Sequence, residues 1–400
     1  MLCLMKIGIY GGSFNPPHLG HMAAAKAAVE ELKLDRLLIV PACDPPHKKM
    51  PEGSATPAQR LEMASIMADQ LPCAQCWDVE MRRDGVSYTV DTLEEAKRLW
   101  PEDELWLLVG SDMFLSLQSW RSPERIMELA GICAFDRDAQ DSREKFAAQK
   151  TYLQEHYNAR VCIIENPDVV EISSTEIREA LARGEGQKFL HETIYGYILR
   201  EKLYGTSANL HRLTIEELRC VSYSMVKAKR LPHIRGTEQA AVELALRWGA
   251  DPEKMRRAAI LHDCTKYISR EEHLAICERC GIELDDMERG AEKLLHSKSG
   301  AALAREMFGQ DEEIFTAILY HTTGRGNMTL AEKILYLADY MEPCRDFPEV
   351  AEMRRLAEID LDCAVLMGVR LSIQEMKERN RIVHHNTLEA EASLLKGLAE

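Results

Sequence analysis

Two histidines three residues apart, His18 and His21, close a run that opens on two glycines: Gly11-Gly12-Ser13-Phe14-Asn15-Pro16-Pro17-His18-Leu19-Gly20-His21. Paired glycines let a backbone approach a phosphate without interference from Cβ atoms. A helix starting behind them offers free N–H donors and a positive dipole end. At a helix start the i,i+3 spacing sends both imidazoles toward that same point. Two such donors fit group transfer, in which charge builds on phosphoryl oxygens. The run is neither a Walker A loop nor a dinucleotide fingerprint, since Gly-x-Gly-x-x-Gly and Gly-Lys-Ser/Thr are both missing.

A second group of ligand-type residues lies far from the first. Eight of the 13 His follow residue 205. His262-Asp263 closes the apolar run Ala258-Ala259-Ile260-Leu261, which would bury both side chains. A buried imidazole beside a buried carboxylate needs partners, and a metal ion is the natural one. His233, His296, His321 and Asp339 also fall in or beside apolar helical segments. That many polar ligand types on apolar faces are hard to explain as satisfied core residues.

The elements that would position these groups differ between the two halves. Strands are expected at 6–10, 36–40, 77–82, 105–109, 132–135 and 160–164, alternating with helices at 19–32, 57–68, 89–99, after Pro123 and after Ser174. That alternation specifies an α/β doubly wound parallel sheet, with ligands at the carboxyl ends of the strands. After Leu203 a polar stretch, Tyr204-Gly205-Thr206-Ser207-Ala208-Asn209, reads as a linker. Beyond it, Thr214 with Glu217 and Thr329 with Glu332 form capping boxes, and Asp251-Pro252 forms a further helix start. No strand alternation survives there, so an all-α domain of about eight helices is expected. The divisions are 1–203, a linker at 204–212, and 213–400.

The 400 residues suggest two or three domains, and 46% apolar content at this length can bury a real core, which excludes disorder as the main state. With 50 Lys+Arg against 65 Asp+Glu the net charge is −15, and no basic bias marks a nucleic-acid binder. No apolar run approaches the ~20 residues of a membrane span. The N-terminus enters a strand directly, without a signal-peptide layout, so the 12 Cys are expected to be reduced thiols of a cytoplasmic protein. Cys73/Cys76 and Cys277/Cys280 lack partner pairs at zinc-ribbon spacing.

The run from Gly11 to His21 resembles the signature of the nucleotidyltransferase superfamily, (His/Thr)-x-Gly-His. Pro45-Pro46-His47-Lys48 and Ile172-Ser173-Ser174-Thr175-Glu176-Ile177-Arg178 narrow the resemblance to bacterial nicotinate-nucleotide adenylyltransferases, over Met5 to about Leu203. The relative that makes dephospho-coenzyme A usually has Thr in place of His18 and lacks the Pro-Pro-His-Lys loop. The resemblance implies a Rossmann-like fold and attack by the phosphate of nicotinate mononucleotide on the α-phosphorus of ATP, with Mg²⁺. It implies catalytic roles for His18 and His21, and substrate contacts from Gly11, Gly12, Ser13, Phe14, His47 and Lys48. Ser173, Ser174, Thr175 and Arg178 suit the triphosphate, because a capped helix start with hydroxyls and a guanidinium makes an anion site. Gly110 and Asp112 would meet the ribose, Trp120 would stack on the nicotinate ring, and Tyr88 and Thr89 would contact it. Where the family often shows Arg-Pro, this chain has Asp136-Arg137-Asp138, so a phosphate contact from Arg137 rests on weaker ground.

The order His…His-Asp…His…His…Asp resembles the HD-domain phosphohydrolases. Tyr320-His321-Thr322-Thr323-Gly324 and Ala338-Asp339-Tyr340-Met341-Glu342-Pro343 are similar to the YqeK family of symmetrical diadenosine-tetraphosphate hydrolases, over Thr214 to about Leu395. The resemblance implies iron, held by His233, His262, Asp263 and Asp339; mixed N/O ligation equally suits Mn²⁺ or zinc. His296 and His321 either complete a second metal site or bind phosphate. Asp263 and Lys266 would be catalytic, and Arg230, Thr322 and Arg345 would contact the nucleotide. His384 and His385 are not matched and stay outside the ligand set. Two alternatives remain: an HD domain that senses nucleotides or cleaves another phosphoester, and a first domain acting on pantetheine phosphate. A homodimer is left open.

Overall fold

The computed structural model describes residues 4–43, 50–83, 85–136, 141–165 and 173–399. His47, Lys48 and Arg137, with Pro45, Pro46 and Ile172, lie outside the described residues. The chain divides into two compact units, Met1–Ser207 and Ala208–Glu400.

The first unit runs β1 (Lys6–Gly12), α1 (Leu19–Leu32), β2 (Arg36–Pro41), α2 (Pro57–Asp69), β3 (Ala74–Cys76), α3 (Thr89–Leu99) and β4 (Glu104–Val109). It continues with α4 (Ser111–Leu115), α5 (Pro123–Leu129), β5 (Gly131–Asp136), α6 (Asp141–Tyr157), β6 (Val161–Glu165), α7 (Ser174–Ala182) and α8 (Glu192–Arg200). All six strands pair in parallel, in the order β3-β2-β1-β4-β5-β6. The strands alternate their side chains between two cores. Ile7, Ile9, Leu38, Val40, Leu105 and Leu107 face one layer of helices. Tyr10, Leu37, Ile39, Leu108 and Phe135 face the other. Burying each large apolar side chain is worth about 1.5–3 kcal/mol, so the sheet centre is the anchor of this unit. The chain leaves β1 toward β2 on one side and returns as β4 on the other, which opens a crevice at the carboxyl ends of β1 and β4.

One expected strand is displaced. Trp77–Arg82 does not pair; the edge strand is Ala74–Cys76, three residues long, registered against Leu37–Ile39. Pairing stops after Trp77, whose N–H donates to Ile39 O, and Met81 N–H then turns back onto Asp78 O. The alternating Trp77 and Val79 resemble a strand because both pack on the core, yet they do so from a turn.

The second unit is built from α9 (Ile215–Tyr223), α10 (Leu231–Trp248), α11 (Pro252–Leu261), α12 (Arg270–Arg279), α13 (Asp286–Gly290) and α14 (Glu292–Glu306). After these come α15 (Glu312–Tyr320), α16 (Leu330–Met341), α17 (Val350–Ala357), α18 (Leu361–Glu378) and α19 (His385–Ala399). That is eleven α-helices among the described residues rather than about eight. Elements as short as α13, with five residues, carry too little periodicity to be read. Thr214, Asp251 and Thr329 cap α9, α11 and α16 through their side chains. The polar stretch after Leu203 spans the division between units, although Tyr204 itself is buried and its hydroxyl donates to Asn15 Oδ1 at 2.8 Å.

Candidate active sites

In the first unit β1 runs out at Gly12 and α1 begins at Leu19, with His18 in the extended N-cap position. Among the described residues nothing comes within 4 Å of a Cβ built on Gly11, whereas Gly12 packs against the Phe14 ring. Gly11 therefore leaves space that the described residues do not fill. Phe14 is 1% exposed, so its ring belongs to the core, and it does not line the cavity that Gly11, Gly12 and Ser13 border. His18 and His21 sit ring against ring, centroids 3.8 Å apart. The His18 N–H donates to His21 Nδ1 at 3.2 Å. A neutral His21 accepting there carries its proton on Nε2, so that nitrogen is a donor.

The start of α7 packs on this turn. Ser174 Oγ donates to Pro16 O at 3.1 Å, and Arg178 Nη1 donates to Asn15 O at 2.7 Å. Ser173 caps α7 through Glu176 N–H at 3.2 Å, and Thr175 Oγ1 accepts from Arg178 Nη2 at 3.1 Å. Thus Ser173 and Arg178, more than 150 residues from Gly11, stand at the same turn. Arg60, 1% exposed, braces it from beneath: its guanidinium donates to Ser13 O at 3.0 Å, to Cys43 O at 2.8 Å and to Ala42 O.

A cavity of about 470 Å³ occupies the crevice, lined by Gly11, Gly12, Ser13, Tyr88, Thr89, Gly110, Asp112 and Trp120. Glu80, Ser87 and Arg121 also line it and were not read from the sequence. Glu80 escaped because it lies in the segment read as a strand, and Arg121 because nothing local marks its reach over the Tyr88 ring, 4.4 Å away. Burial pushes the Glu80 carboxyl up, partly offset by the Thr92 hydroxyl that donates to it at 2.8 Å. Tyr88 is the N-cap of α3 and makes no side-chain cap bond; the Asp91 N–H turns back onto Tyr88 O, so among the described residues the N–H groups of Thr89 and Val90 are left for another acceptor.

In the second unit the same local device appears twice. His262 follows the last residue of α11 and its Nδ1 donates to Ala259 O at 2.6 Å; His321 follows α15 and its Nδ1 donates to Ile318 O at 2.7 Å. A helix C-terminal carbonyl thereby fixes the tautomer and turns Nε2 inward. On α10, His233 Nδ1 donates to Glu342 Oε1 at 3.1 Å. Glu342 is 1% exposed and also takes the Cys344 N–H at 2.5 Å. A Cβ at Gly236 would run into that carboxylate, so Gly236 makes room for it. Glu342 lies inside the run that carries the family resemblance, yet its role emerges only from the packing.

The inward nitrogens meet. His233 Nε2 is 3.2 Å from His262 Nε2 and 3.0 Å from Asp339 Oδ1. Asp263 Oδ2 lies 3.5 Å from His262 Nε2 and 3.8 Å from His233 Nε2. The other oxygen, Oδ1, lies 3.2 Å from His296 Nε2 and 3.3 Å from Lys266 Nζ. His296 Nε2 is in turn 3.2 Å from His321 Nε2. Lone pairs facing one another at such distances repel unless a cation or a proton sits among them. Donors set side by side around one ion with bonds of about 2.1 Å stand roughly 3 Å apart. The residues present therefore fit a metal ion: the ligand atoms of His233, His262 and Asp339 form one cluster, and those of His262, Asp263 and His321 form a second beside it.

Cationic side chains surround this centre. Arg230 bonds Asp263 Oδ2, Arg345 Nη2 donates to Asp339 Oδ1 at 3.0 Å, and Lys266 Nζ lies 3.0 Å from His296 Nε2. Thr322 Oγ1 lies 3.3 Å from His321 Nε2. Burial opposes ionisation of Asp339, but His233 and His262 override it and hold the carboxyl well below its ordinary range. Burial, reinforced by His296 and His262, holds His321 well below the usual imidazole value and keeps it neutral. An anionic carboxylate and a neutral imidazole are the protonation states that metal ligands require; at His262 burial opposes the charged form, but Asp263 and Asp339 override it and push the imidazole up.

Fold and sites together define a cytidylyltransferase-like α/β domain followed by a helical HD domain. The Cytidylyltransferase-like family matches residues 9–180, and the HD domain family matches residues 230–344. A "Probable nicotinate-nucleotide adenylyltransferase" of Carboxydothermus hydrogenoformans is 38% identical over 200 residues, covering 98% of that protein and 50% of this chain. A protein of the same name from Shewanella sp. (strain ANA-3) is 37% identical over 214 residues, covering 99% of it and 50% of this chain. A solved structure from Clostridium acetobutylicum, described as a "predicted HD superfamily hydrolase involved in NAD metabolism", is 38% identical and covers 46% of this chain and 98% of its own, with a TM-score of 0.45. In its first half, the chain belongs to the nicotinate-nucleotide adenylyltransferase family.

Proposed function

We propose that the protein is a bifunctional enzyme. Its first unit transfers the adenylyl group of ATP to nicotinate mononucleotide, releasing pyrophosphate and forming deamido-NAD. Its second unit hydrolyses diadenosine tetraphosphate symmetrically to two ADP.

The observation that carries the first activity is the cavity between β1 and β4, lined by Gly11, Asp112, Trp120 and the start of α3. Nicotinate mononucleotide has a planar ring, a carboxylate, a ribose and a phosphate. Trp120 would stack on the ring, the free N–H groups of α3 would take the carboxylate, and Asp112 would accept from ribose hydroxyls. ATP enters as its Mg²⁺ complex. The mononucleotide phosphate oxygen attacks the α-phosphorus, a new P–O bond forms, and the bond to pyrophosphate breaks. No protein nucleophile is required. His21 Nε2–H, His18, Arg178 and the N–H groups at the start of α7 stabilise charge on the transferred and leaving phosphates.

The second activity is carried by the convergence of His233, His262, Asp263 and Asp339. When bound there, a divalent ion such as iron or Mn²⁺ supplies a water made acidic enough to attack a phosphoester near neutral pH. Arg230, Lys266 and Arg345 bind and neutralise the polyphosphate oxygens. Lys266, beside Asp263 Oδ1 and His296, is placed to hold a proton near the leaving group.

Purified protein is incubated with ATP and nicotinate mononucleotide, and separately with diadenosine tetraphosphate plus Fe²⁺ or Mn²⁺, and the products are separated by ion exchange. Deamido-NAD with pyrophosphate, and ADP as sole nucleotide product, are expected. AMP with ATP in the second reaction would overturn symmetrical cleavage. No deamido-NAD in the first would overturn the transferase.

A further inference from the structure

The two Cys-x-x-Cys pairs of the sequence spend their thiols on other partners. Cys73 Sγ donates to Leu34 O at 3.5 Å, whereas Cys76 Sγ donates to Leu61 O at 3.9 Å. Cys277 is buried on α12, and Cys280, which follows that helix, turns its thiol onto Glu306 Oε2 at 3.0 Å. Burial raises all four thiols, so none is primed to act as a thiolate.

A different pair is brought together by the sheet. Cys133 on β5 and Cys162 on β6 are direct partners in the parallel register. Neighbouring strands run about 4.8 Å apart, inside the span of about 4.4–6.8 Å between Cα atoms that a disulfide bridges. Partners in register point to the same face, here toward the core that α1 covers. The two thiols already share a hydrogen bond, with Cys133 donating. That bond stabilises the Cys162 thiolate and, helped by Lys150, outweighs burial and Glu31, pulling the Cys162 thiol down to about 7. The same bond, with burial, pushes Cys133 up, so it keeps its proton. Cys133 is fully buried, whereas Cys162 is half-buried on the edge strand, where a small oxidant can reach it.

We propose that Cys133 and Cys162 form a reversible dithiol–disulfide site that takes low-molecular-weight disulfides as its oxidant. The Cys162 thiolate attacks one sulfur of the small disulfide, forming a mixed disulfide and expelling a thiolate. The expelled thiolate takes up the proton that Cys162 released. The Cys133 sulfur then attacks Cys162 Sγ, and its proton leaves with the second small thiol. Two protein thiols are thereby oxidised to a disulfide, and one small disulfide is reduced to two thiols. The bridge ties the edge strand β6 to β5. Strand β5 in turn borders the crevice, because Phe135 O accepts from Ser111 Oγ at 2.9 Å, between Gly110 and Asp112. Oxidation locks the sheet edge beside that crevice, and an excess of small thiol releases it.

The test incubates the reduced full chain with glutathione disulfide near neutral pH, followed by alkylation, digestion and mass spectrometry. Cys133→Ser and Cys162→Ser are treated in the same way. A peptide crosslinked through Cys133 and Cys162 is expected, with the Tm of the first unit raised by about 5 °C and restored by dithiothreitol. Cys133→Ser should stop at a mixed disulfide on Cys162, and Cys162→Ser should leave Cys133 unmodified. Cys162 is half-buried at the sheet edge, so exchanging its sulfur for oxygen leaves the fold intact even if the buried Cys133→Ser does not. No crosslinked peptide, while the exposed Cys73 and Cys344 are modified, overturns the site. Modification of Cys133 in Cys162→Ser overturns it as well, because Cys162 would then not be the attacking thiol. A crosslink that forms without any rise in Tm overturns the locking of the sheet edge.

Discussion

The Nε2 atoms of His233 and His262, 29 residues apart in sequence, meet at 3.2 Å while the Nδ1 of each is already spent on Glu342 or Ala259. Neither ring can turn its lone pair away without breaking a buried hydrogen bond, so a cation is the partner that relieves the contact. His262→Ala should therefore abolish stoichiometric metal binding, measured by elemental analysis, and leave adenylyl transfer intact. Removing the ion by chelation should lower the Tm of the second unit. At a metal concentration a hundredfold above Kd the lost stabilisation is about 2.7 kcal/mol, roughly 5–10 °C for a domain of this size. An unchanged Tm with chelator would show that the cluster holds no ion.

His21 is fixed as an Nε2 donor by the His18 N–H at its Nδ1. His21→Ala should reduce kcat for adenylyl transfer on the order of 100-fold, the effect of one lost transition-state donor, with Tm nearly unchanged. His21→Gln retains a donor and should recover part of the loss. Equal damage from both substitutions would mean that the ring is needed for packing instead.

Glu80 supplies a pH signature. Burial raises its carboxyl pKa in the folded state, so the folded protein keeps the proton longer than the unfolded chain does. A raised carboxyl pKa contributes stability that is present below the unfolded value of about 4.5 and disappears as pH rises through the folded value. Glu80→Gln keeps the acceptor for Thr92 and removes the titration. The variant should lose less stability than the wild type between pH 4.5 and neutrality, read as Tm against pH. Parallel curves would show that Glu80 ionises freely.

The open start of α3 favours an anion over a neutral amide. Nicotinate mononucleotide should be preferred to nicotinamide mononucleotide by roughly 10- to 100-fold in kcat/KM, the range of one or two charge-assisted hydrogen bonds. Equal use of both substrates would remove α3 from the recognition site.

Much of this was legible before folding. Short dense apolar runs such as Leu105–Val109 marked central strands, because a parallel sheet buried on both faces reads as a near-continuous apolar run. The side-chain caps Thr214, Asp251 and Thr329 marked helix starts through chemistry confined to four residues. Gly11, His18, His21 and the Ser173 box were readable for the same reason, since each motif is its own local structure. The edge strand was misplaced, at Trp77–Arg82 instead of Ala74–Cys76, because an edge is set by the register its neighbour offers and not by its own pattern.

What local sequence cannot carry is the meeting of distant groups. Glu342 reaches His233 across 109 residues, and Arg178 reaches Asn15 across 163. The lone-pair contacts among four histidines on four helical segments follow from helix packing alone. Residue types and spacing thus specified the two chemistries and the local turns that present them, since those depend on a few adjacent dihedrals. Tertiary packing decided which nitrogen of each imidazole faces inward, which carboxylate bridges, and that Cys133 on β5 stands beside Cys162 on β6. Those relations depend on buried partners from other elements, which no stretch of sequence contains.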